Sequence, residues 1–410
     1  MKDKLKILQI NKFYFLKGGS ERYLFDLSKI LEVAGHQVIP FAMRDEKNWP
    51  SSYREYFSEP MDLHKFSLKN IFKIFFNWDA RRRLEELINR TKPDLAHLHI
   101  ISYQLSPSVI AVLKRRNIPI VMTLHDYSPI CPNAKLFTRG GLCERCRGGK
   151  YYHCFLNKCS HNSYGQSFLA MLESYVNLRW LKVYENVDLF IAPSQFVKDV
   201  GVKFGLPENK IKVINHFIEI NNNFQDVSSS NYILYFGRLD PGKGISVLLE
   251  AMRHVNQRIS LKLVGVGPDY KKLKNEIERL NLSGRVELLG SKYGDELLVL
   301  IQGALAIIVP SILPESMGYS ALESLAMGKI VIASRIGGLS EIIQDGENGF
   351  LFKAGDSDEL AKKINLAVER DESIKNMENN AKKSVSGLTP ENHYEKIMEL
   401  YKKIIDLDGR

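Results

Sequence analysis

The stretch that most constrains the fold is Leu305–Val309 with the segment that follows it, Pro314–Glu323. Leu305, Ala306, Ile307, Ile308 and Val309 form an unbroken apolar run, which reads as a strand covered on both faces and so as part of a parallel sheet. The chain then carries Glu315 in a short loop, frees its backbone at Gly318 and enters a good helix former, Tyr319–Met327, closed by Gly328. The first turn of a helix has unpaired N–H groups at the positive end of its dipole, an arrangement suited to phosphate. Glu323 falls on the first turns of that helix, eight residues after Glu315. Two carboxylates around one anion site fit a ligand with phosphate in its middle and hydroxyls at both ends, as in a nucleotide-sugar.

Similar units recur along the chain. Leu5–Gln9 reads as a strand, Asn11–Ser20 as a loop holding Gly18-Gly19, and Glu21–Val33 as a helix with Tyr23, Leu24, Leu27, Ile30 and Leu31 on its apolar face. Val38–Phe41 is the next strand. There is no G-x-G-x-x-G run here, so a nicotinamide cofactor is not indicated. Further strands are expected at 95–99, Ile118–Leu124, Val187–Ala192 and Lys210–Asn215. His125 closes the second of these, at the strand end where parallel sheets open their ligand crevice. His97 and His99 share one strand face. A polar linker at 221–230 precedes a second series: Tyr232–Phe236, Ser260–Val264, Arg285–Leu289, Leu305–Val309 and Ile330–Ala333. Between Gly237 and Gly244, an Asp-Pro-Gly turn separates Arg238 from Lys243 and can aim both cations at one anion. Gly265-Val266-Gly267 opens the next helix. Gly337-Gly338 and Asp345-Gly346 read as structural turns. Thr389-Pro390-Glu391 opens a terminal helix running to about Ile405.

Glu315-x7-Glu323 with Ser316 and Gly318, together with the Arg238–Lys243 loop, resembles the donor-site signature of the family 4 retaining glycosyltransferases. The resemblance spans nearly the whole chain apart from 131–160. It implies an α/β fold of two Rossmann-like domains facing each other across a cleft, the GT-B architecture, with a C-terminal helix crossing back to the first domain. The implied domains are 1–217 on the acceptor side, joined by 389–410, and 218–388 binding the nucleotide-sugar donor. In the family's pattern Arg238 and Lys243 hold the donor diphosphate, as do main-chain amides around Ser316, Met317, Gly318 and Tyr319. Glu315 reaches the sugar hydroxyls and Glu323 the ribose. Gly19 lets its loop approach the diphosphate, Gly265 lies near the nucleotide, and His125 flanks the reacting carbon. The implied activity is transfer of a hexose to an acceptor hydroxyl with retention and without a metal cofactor. A nucleotide-sugar epimerase on the same frame is the alternative. Asn215-His216-Phe217 departs from the P-N-G run of many relatives.

Two features lie outside that pattern. Residues 1–190 carry 29 Lys and Arg against 18 Asp and Glu, and so hold the whole +10 net charge of the chain. No nucleic-acid-binding motif accompanies the excess, which points instead to anionic lipid or a phosphorylated acceptor. Within it, Leu68, Ile71, Phe72, Phe75 and Phe76 fall at helical spacing among Lys69, Lys73 and Arg81–Arg83, in a stretch from Leu63 to Ile88 that reads either as a core-packed helix or as a membrane-surface helix. No run approaches the roughly 18–20 apolar residues of a membrane span, and the first residues lack a signal-peptide core. The expected location is the cytoplasm, with peripheral contact at the membrane's inner face and a glycan or lipid-linked acceptor. The second feature is an insertion at 131–160 containing all five cysteines: Cys131, Cys143, Cys146, Cys154 and Cys159. The C-x2-C and C-x4-C pairs, Cys143/Cys146 and Cys154/Cys159, can form a closed four-thiolate zinc site. Reduced free thiols, a disulfide and an iron–sulfur site are the other readings.

Overall fold

The structure is a computed structural model that describes residues 4–61, 68–219, 230–369 and 371–408. The chain divides into two units, one of residues 1–215 with 391–410 and one of residues 216–390.

The first unit is built on a six-stranded, all-parallel sheet. Its strands are β1 (Lys6–Ile10), β2 (Gln37–Phe41), β3 (Leu95–Leu98), β4 (Ile120–Thr123), β7 (Leu189–Ala192) and β8 (Ile211–Val213), in the order β2-β1-β3-β4-β7-β8. Two short strands of the Cys-rich insertion, β5 (Phe137–Thr138) and β6 (Gly141–Leu142), form a separate antiparallel ribbon. β3, β4 and β7 are buried at every position, as strands covered on both faces must be. Helix Gly19–Val33 buries Tyr23, Leu24, Leu27 and Leu31, while Ile30 is only half-buried. Helix Pro390–Asp408 contributes Ile397, Met398 and Tyr401 to this unit's interior.

One stretch differs from expectation. The Leu63–Ile88 stretch holds two helices, Leu68–Phe75 and Trp78–Thr91, while residues 62–67 lie outside the described residues. The break falls at Asn77, whose buried side chain caps the second helix at Ala80 N, 3.0 Å, and donates to Gln104 O, 2.7 Å. In the second helix Arg83 binds Asp79 and Glu59, and Arg82 binds Glu86, so part of the expected basic face is taken up by carboxylates. The helix from Tyr164 leaves α geometry at Tyr175, runs as a π-helix to Trp180 and turns sharply at Lys182, where φ is +47°. Among the described residues, no helix is long and apolar enough to cross a membrane.

The second unit repeats the plan with strands β9 (Tyr232–Phe236), β10 (Ser260–Val264), β11 (Val286–Gly290), β12 (Ile307–Val309), β13 (Val331–Ser334) and β14 (Gly349–Phe352). The order β11-β10-β9-β12-β13-β14 is parallel throughout. It reverses between β9 and β12, and a doubly wound sheet binds ligands outside its strand ends at such a reversal. The expected linker lies almost wholly at 220–229, outside the described residues.

Candidate active site

In the second unit the two strands at the reversal deliver the residues that the sequence singles out. β9 ends at Phe236, and after Gly237 the residues Arg238 and Lys243 follow in a loop whose Asp240 side chain accepts from Gly242 N at 3.2 Å. β12 ends at Val309 and leads to Ser311 and Glu315. Lys243 Nζ and Ser311 Oγ both donate to Glu315 Oε1, each at 2.5 Å. Burial pushes the Glu315 carboxyl up, but the Lys243 ammonium and the two hydrogen bonds outweigh it and hold the group below the usual carboxylate range. Arg238 is exposed and 3.7 Å from Asp240. Its carbonyl accepts from the buried Tyr235 hydroxyl at 2.6 Å, which fixes the start of the loop.

Helix Tyr319–Ala326 follows, with Gly318 as its N-cap at φ +91° and Met317 buried beneath it. Ser316 and Tyr319 flank this cap, and Glu323 is half-buried on the helix's second turn. The His216 ring, from the segment that departs from the family pattern, stacks on Tyr319 with centroids 5.1 Å apart.

Two glycine positions permit this packing. A Cβ on Gly265, whose φ is +141°, would stand 1.8 Å from Gly237 O, so the β10 loop can lie against the Arg238 loop only without a side chain. A Cβ on Gly337 would stand 2.4 Å from Glu315 O, and Gly338 N donates to that same carbonyl at 2.8 Å. The Gly337-Gly338 turn is therefore the support on which the Glu315 loop rests. That role was absent from the sequence reading, as was Ser311. The only sequence signal for Ser311 is a hydroxyl placed just beyond a buried strand end.

In the first unit, the ends of β1, β3 and β4 bring a row of histidines together. His97 binds the Tyr401 hydroxyl at 2.6 Å and Thr123 Oγ1 at 2.7 Å. His99 Nε2 donates to Gln9 Oε1 at 2.5 Å, which leaves His99 Nδ1 to accept from His125 Nε2 at 2.9 Å. Tyr23 and His393 share a 3.0 Å hydrogen bond alongside. Burial pushes His125 down to about 3 and His393 down to about 4, so both rings are neutral near pH 7. The neutral His125 ring is held by its hydrogen bond to His99 and by edge contact with Tyr23, ring centroids 5.2 Å apart. Sequence reading picked out His125 and the shared face of His97 and His99. It missed Gln9, a buried polar residue among the apolar residues Ile7, Leu8 and Ile10. Gly19 is the first residue of its helix and not part of the preceding loop. The helix starts early because buried Glu21 accepts from Asn11 Nδ2 at 3.1 Å in the first turn, near the positive dipole end.

The five cysteines are all free thiols around one cavity. Burial pushes Cys131 up to about 11, and burial with the neighbouring thiols pushes Cys146 up to about 12. Among the described residues, no group of three or more His, Cys, Asp or Glu side chains stands ready-made as an ion cage.

Comparison with known proteins agrees with this architecture. A family model described as Glycosyltransferase Family 4 matches residues 17–222, and one described as Glycosyl transferases group 1 matches residues 217–384. An uncharacterized glycosyltransferase of Methanocaldococcus jannaschii is 31% identical over 406 residues, covering 98% of this chain and 99% of that protein. Sucrose-phosphate synthase from Thermosynechococcus elongatus has a similar structure, with a TM-score of 0.74 at 19% identity over 98% of this chain and 100% of that one. Anabaena HepE, solved in complex with UDP-glucose, has a TM-score of 0.69 at 21% identity over 97% of this chain and 100% of that one. With a family model over half of the chain and a relative matched along nearly its whole length, the chain belongs to the family 4 glycosyltransferases, enzymes of the GT-B type.

Proposed function

We propose that the chain transfers a sugar from a nucleoside-diphosphate-sugar to an acceptor hydroxyl with retention of anomeric configuration. The convergence of Lys243 and Ser311 on Glu315, beside Arg238 at the strand-order reversal of the second sheet, carries the proposal. Arg238 and Lys243 neutralise the diphosphate, with help from the main-chain amides near Ser316, Met317, Gly318 and Tyr319. Glu315 orients the sugar hydroxyls and Glu323 the ribose. Gly265 allows the backbone close to the donor, and the family pattern assigns Gly19 to the diphosphate and His125 to the sugar.

In the reaction, the bond from the anomeric carbon to the phosphate oxygen breaks while negative charge grows on the leaving diphosphate. The acceptor oxygen bonds to that carbon on the same face, and its proton passes to the departing phosphate. None of the assigned side chains is placed as a nucleophile. Two fixed cations supply the charge neutralisation that a divalent metal supplies elsewhere, so the transfer step is assigned no metal.

The positive excess of residues 1–190 supports a lipid-linked or envelope glycan as acceptor and peripheral contact at a membrane's inner face, with the cytoplasm as the proposed location. UDP-sugars come first among donors, because the structurally similar HepE was solved with UDP-glucose. A thermal-shift panel of nucleotide-sugars, followed by NMR of the product's anomeric centre, tests the reading. The expected result is one donor class that raises the melting temperature and a product of unchanged configuration. An inverted product, or conversion of the donor to its epimer without acceptor, would overturn it.

A further inference from the structure

The insertion after β4 has little to hold it together. Beyond the two-residue strands of its ribbon it contains one short α-helix, Tyr152–Leu156, a single 3-10 turn at Arg147–Gly149, and backbone with positive φ at Ala134, Leu136, Arg139 and Lys158. Its own apolar cluster is small: Cys146, Tyr151 and Cys154 pack with Ala170, and Cys159, Met171, Tyr175 and Leu178 lie against them. A segment this long with so little core ordinarily needs a staple.

Its thiols are arranged as one. All five sulfur-bearing residues line a single cavity of about 10 Å³, room for one body the size of a water molecule, which Phe204 helps to close. Cys143 leaves the antiparallel ribbon directly, and Cys146 follows one turn later. Gly148 and Gly149 then reverse the chain at φ +70° and +78°. Two sulfurs from one tight turn form a natural chelating pair. Cys154 and Cys159 supply the second pair, with their thiols hydrogen-bonded to each other, and the Cys154 amide donates toward Cys146 sulfur. Cys131 differs. Its thiol donates to Asn133 Oδ1 at 3.0 Å, and the main-chain amides of Asn133, Lys135 and Leu136 point at its sulfur, so its own loop already satisfies it.

We propose that the insertion binds one zinc ion through Cys143, Cys146, Cys154 and Cys159, with Cys131 forming the cavity wall without ligating. The ion takes four thiolate sulfurs, releases their protons to solvent and draws the two pairs into a tetrahedral cage, with Zn–S distances of about 2.3 Å. No disulfide competes among the five thiols. Cys131 and its neighbours Tyr127 and Ile130 belong to the first unit's main core, close in sequence to His125. Zinc would thereby fix the insertion onto the loop that carries His125.

The test uses the full chain, purified without chelator and with reductant. Elemental analysis should give about one zinc per chain. Under native conditions zinc should protect the four ligand thiols from Ellman's reagent and burial should protect Cys131, against five reactive thiols after denaturation with EDTA. Cobalt substitution of the intact chain should give an intense thiolate-to-cobalt absorption in the near ultraviolet. C143S and C159S should each lose more than tenfold in zinc retention, while C131S keeps it. Less than a tenth of an equivalent of zinc after anaerobic reconstitution, iron in its place, or five equally reactive thiols in the zinc-treated native chain would overturn the proposal. Loss of zinc in C131S would overturn the ligand set. Should the serine variants fail to fold, the cobalt spectrum and thiol count of the wild-type chain still decide.

Discussion

Lys243 Nζ donates to Glu315 Oε1 at 2.5 Å, although the two residues are 72 positions apart and belong to loops after different strands. The contact joins the residue assigned to the diphosphate with the residue assigned to the sugar. It also holds the half-buried carboxyl ionised.

Lys243→Ala should lower kcat by about 10²–10³-fold, the usual effect of losing one preorganised charge from a transition state. The fold should survive, as shown by an unchanged far-ultraviolet spectrum. Without the ammonium, burial dominates at Glu315 and its carboxyl rises from below the usual range. The acid limb of the residual activity should therefore move to higher pH. An unmoved limb would separate Glu315 from the pH dependence.

Gly337→Ala puts a methyl group into the space of Glu315 O. The Glu315 loop must shift, at a cost of about 1–3 kcal/mol in urea titrations. Donor affinity should fall together with stability. Gly346→Ala is the control for backbone strain alone, since its φ is +84° and no heavy atom lies within 4 Å of its Cβ position. It should lose stability while keeping donor affinity.

Tyr401→Phe removes the hydroxyl that His97 Nδ1 meets at 2.6 Å inside the first unit. One buried hydrogen bond lost on an otherwise isosteric change should cost about 1–3 kcal/mol. Thermal or urea unfolding of the full chain measures it, and an unchanged melting temperature would show that the hydroxyl bears no load.

Acid should weaken the first unit below pH 6.5 through its buried histidines. Burial lowers His97, and it lowers His393 to about 4 and His125 to about 3, from an ordinary 6.5. The unfolded chain takes up protons at these rings as pH falls below 6.5, whereas the folded chain does not until each depressed value is reached. Stability is therefore lost on going down from pH 6.5. Each ring still neutral in the fold contributes a slope of about 1.4 kcal/mol per pH unit. His393→Gln should make the pH dependence of stability shallower between pH 6.5 and 4, as read from denaturant midpoints.

Much of the framework was legible because it is local. The apolar run Tyr232–Phe236 is a strand with the expected limits, and Leu305–Val309 holds one that starts two residues later, at Ile307. The Leu63–Ile88 helix was misjudged because its break depends on Asn77 meeting Gln104 and Ser108, residues nearly 30 positions away. Gly337-Gly338 reads as an ordinary turn until the backbone of Glu315 is found resting on it.

By itself the sequence determined the alternation of buried strands and amphipathic helices, the strand-end placement of Arg238, Lys243, Glu315 and His125, and the confinement of every cysteine to one insertion. Periodicity and turn chemistry act over a few residues, so they can be read along the chain. Only tertiary structure decided that β12 lies beside β9, that Lys243 and Ser311 therefore share one oxygen of Glu315, and that His125 leans on His99, which Gln9 holds in turn. It also decided that five thiols line one cavity. Such pairings follow from which strands become neighbours, and that is set by packing across the whole sheet and not by any local stretch.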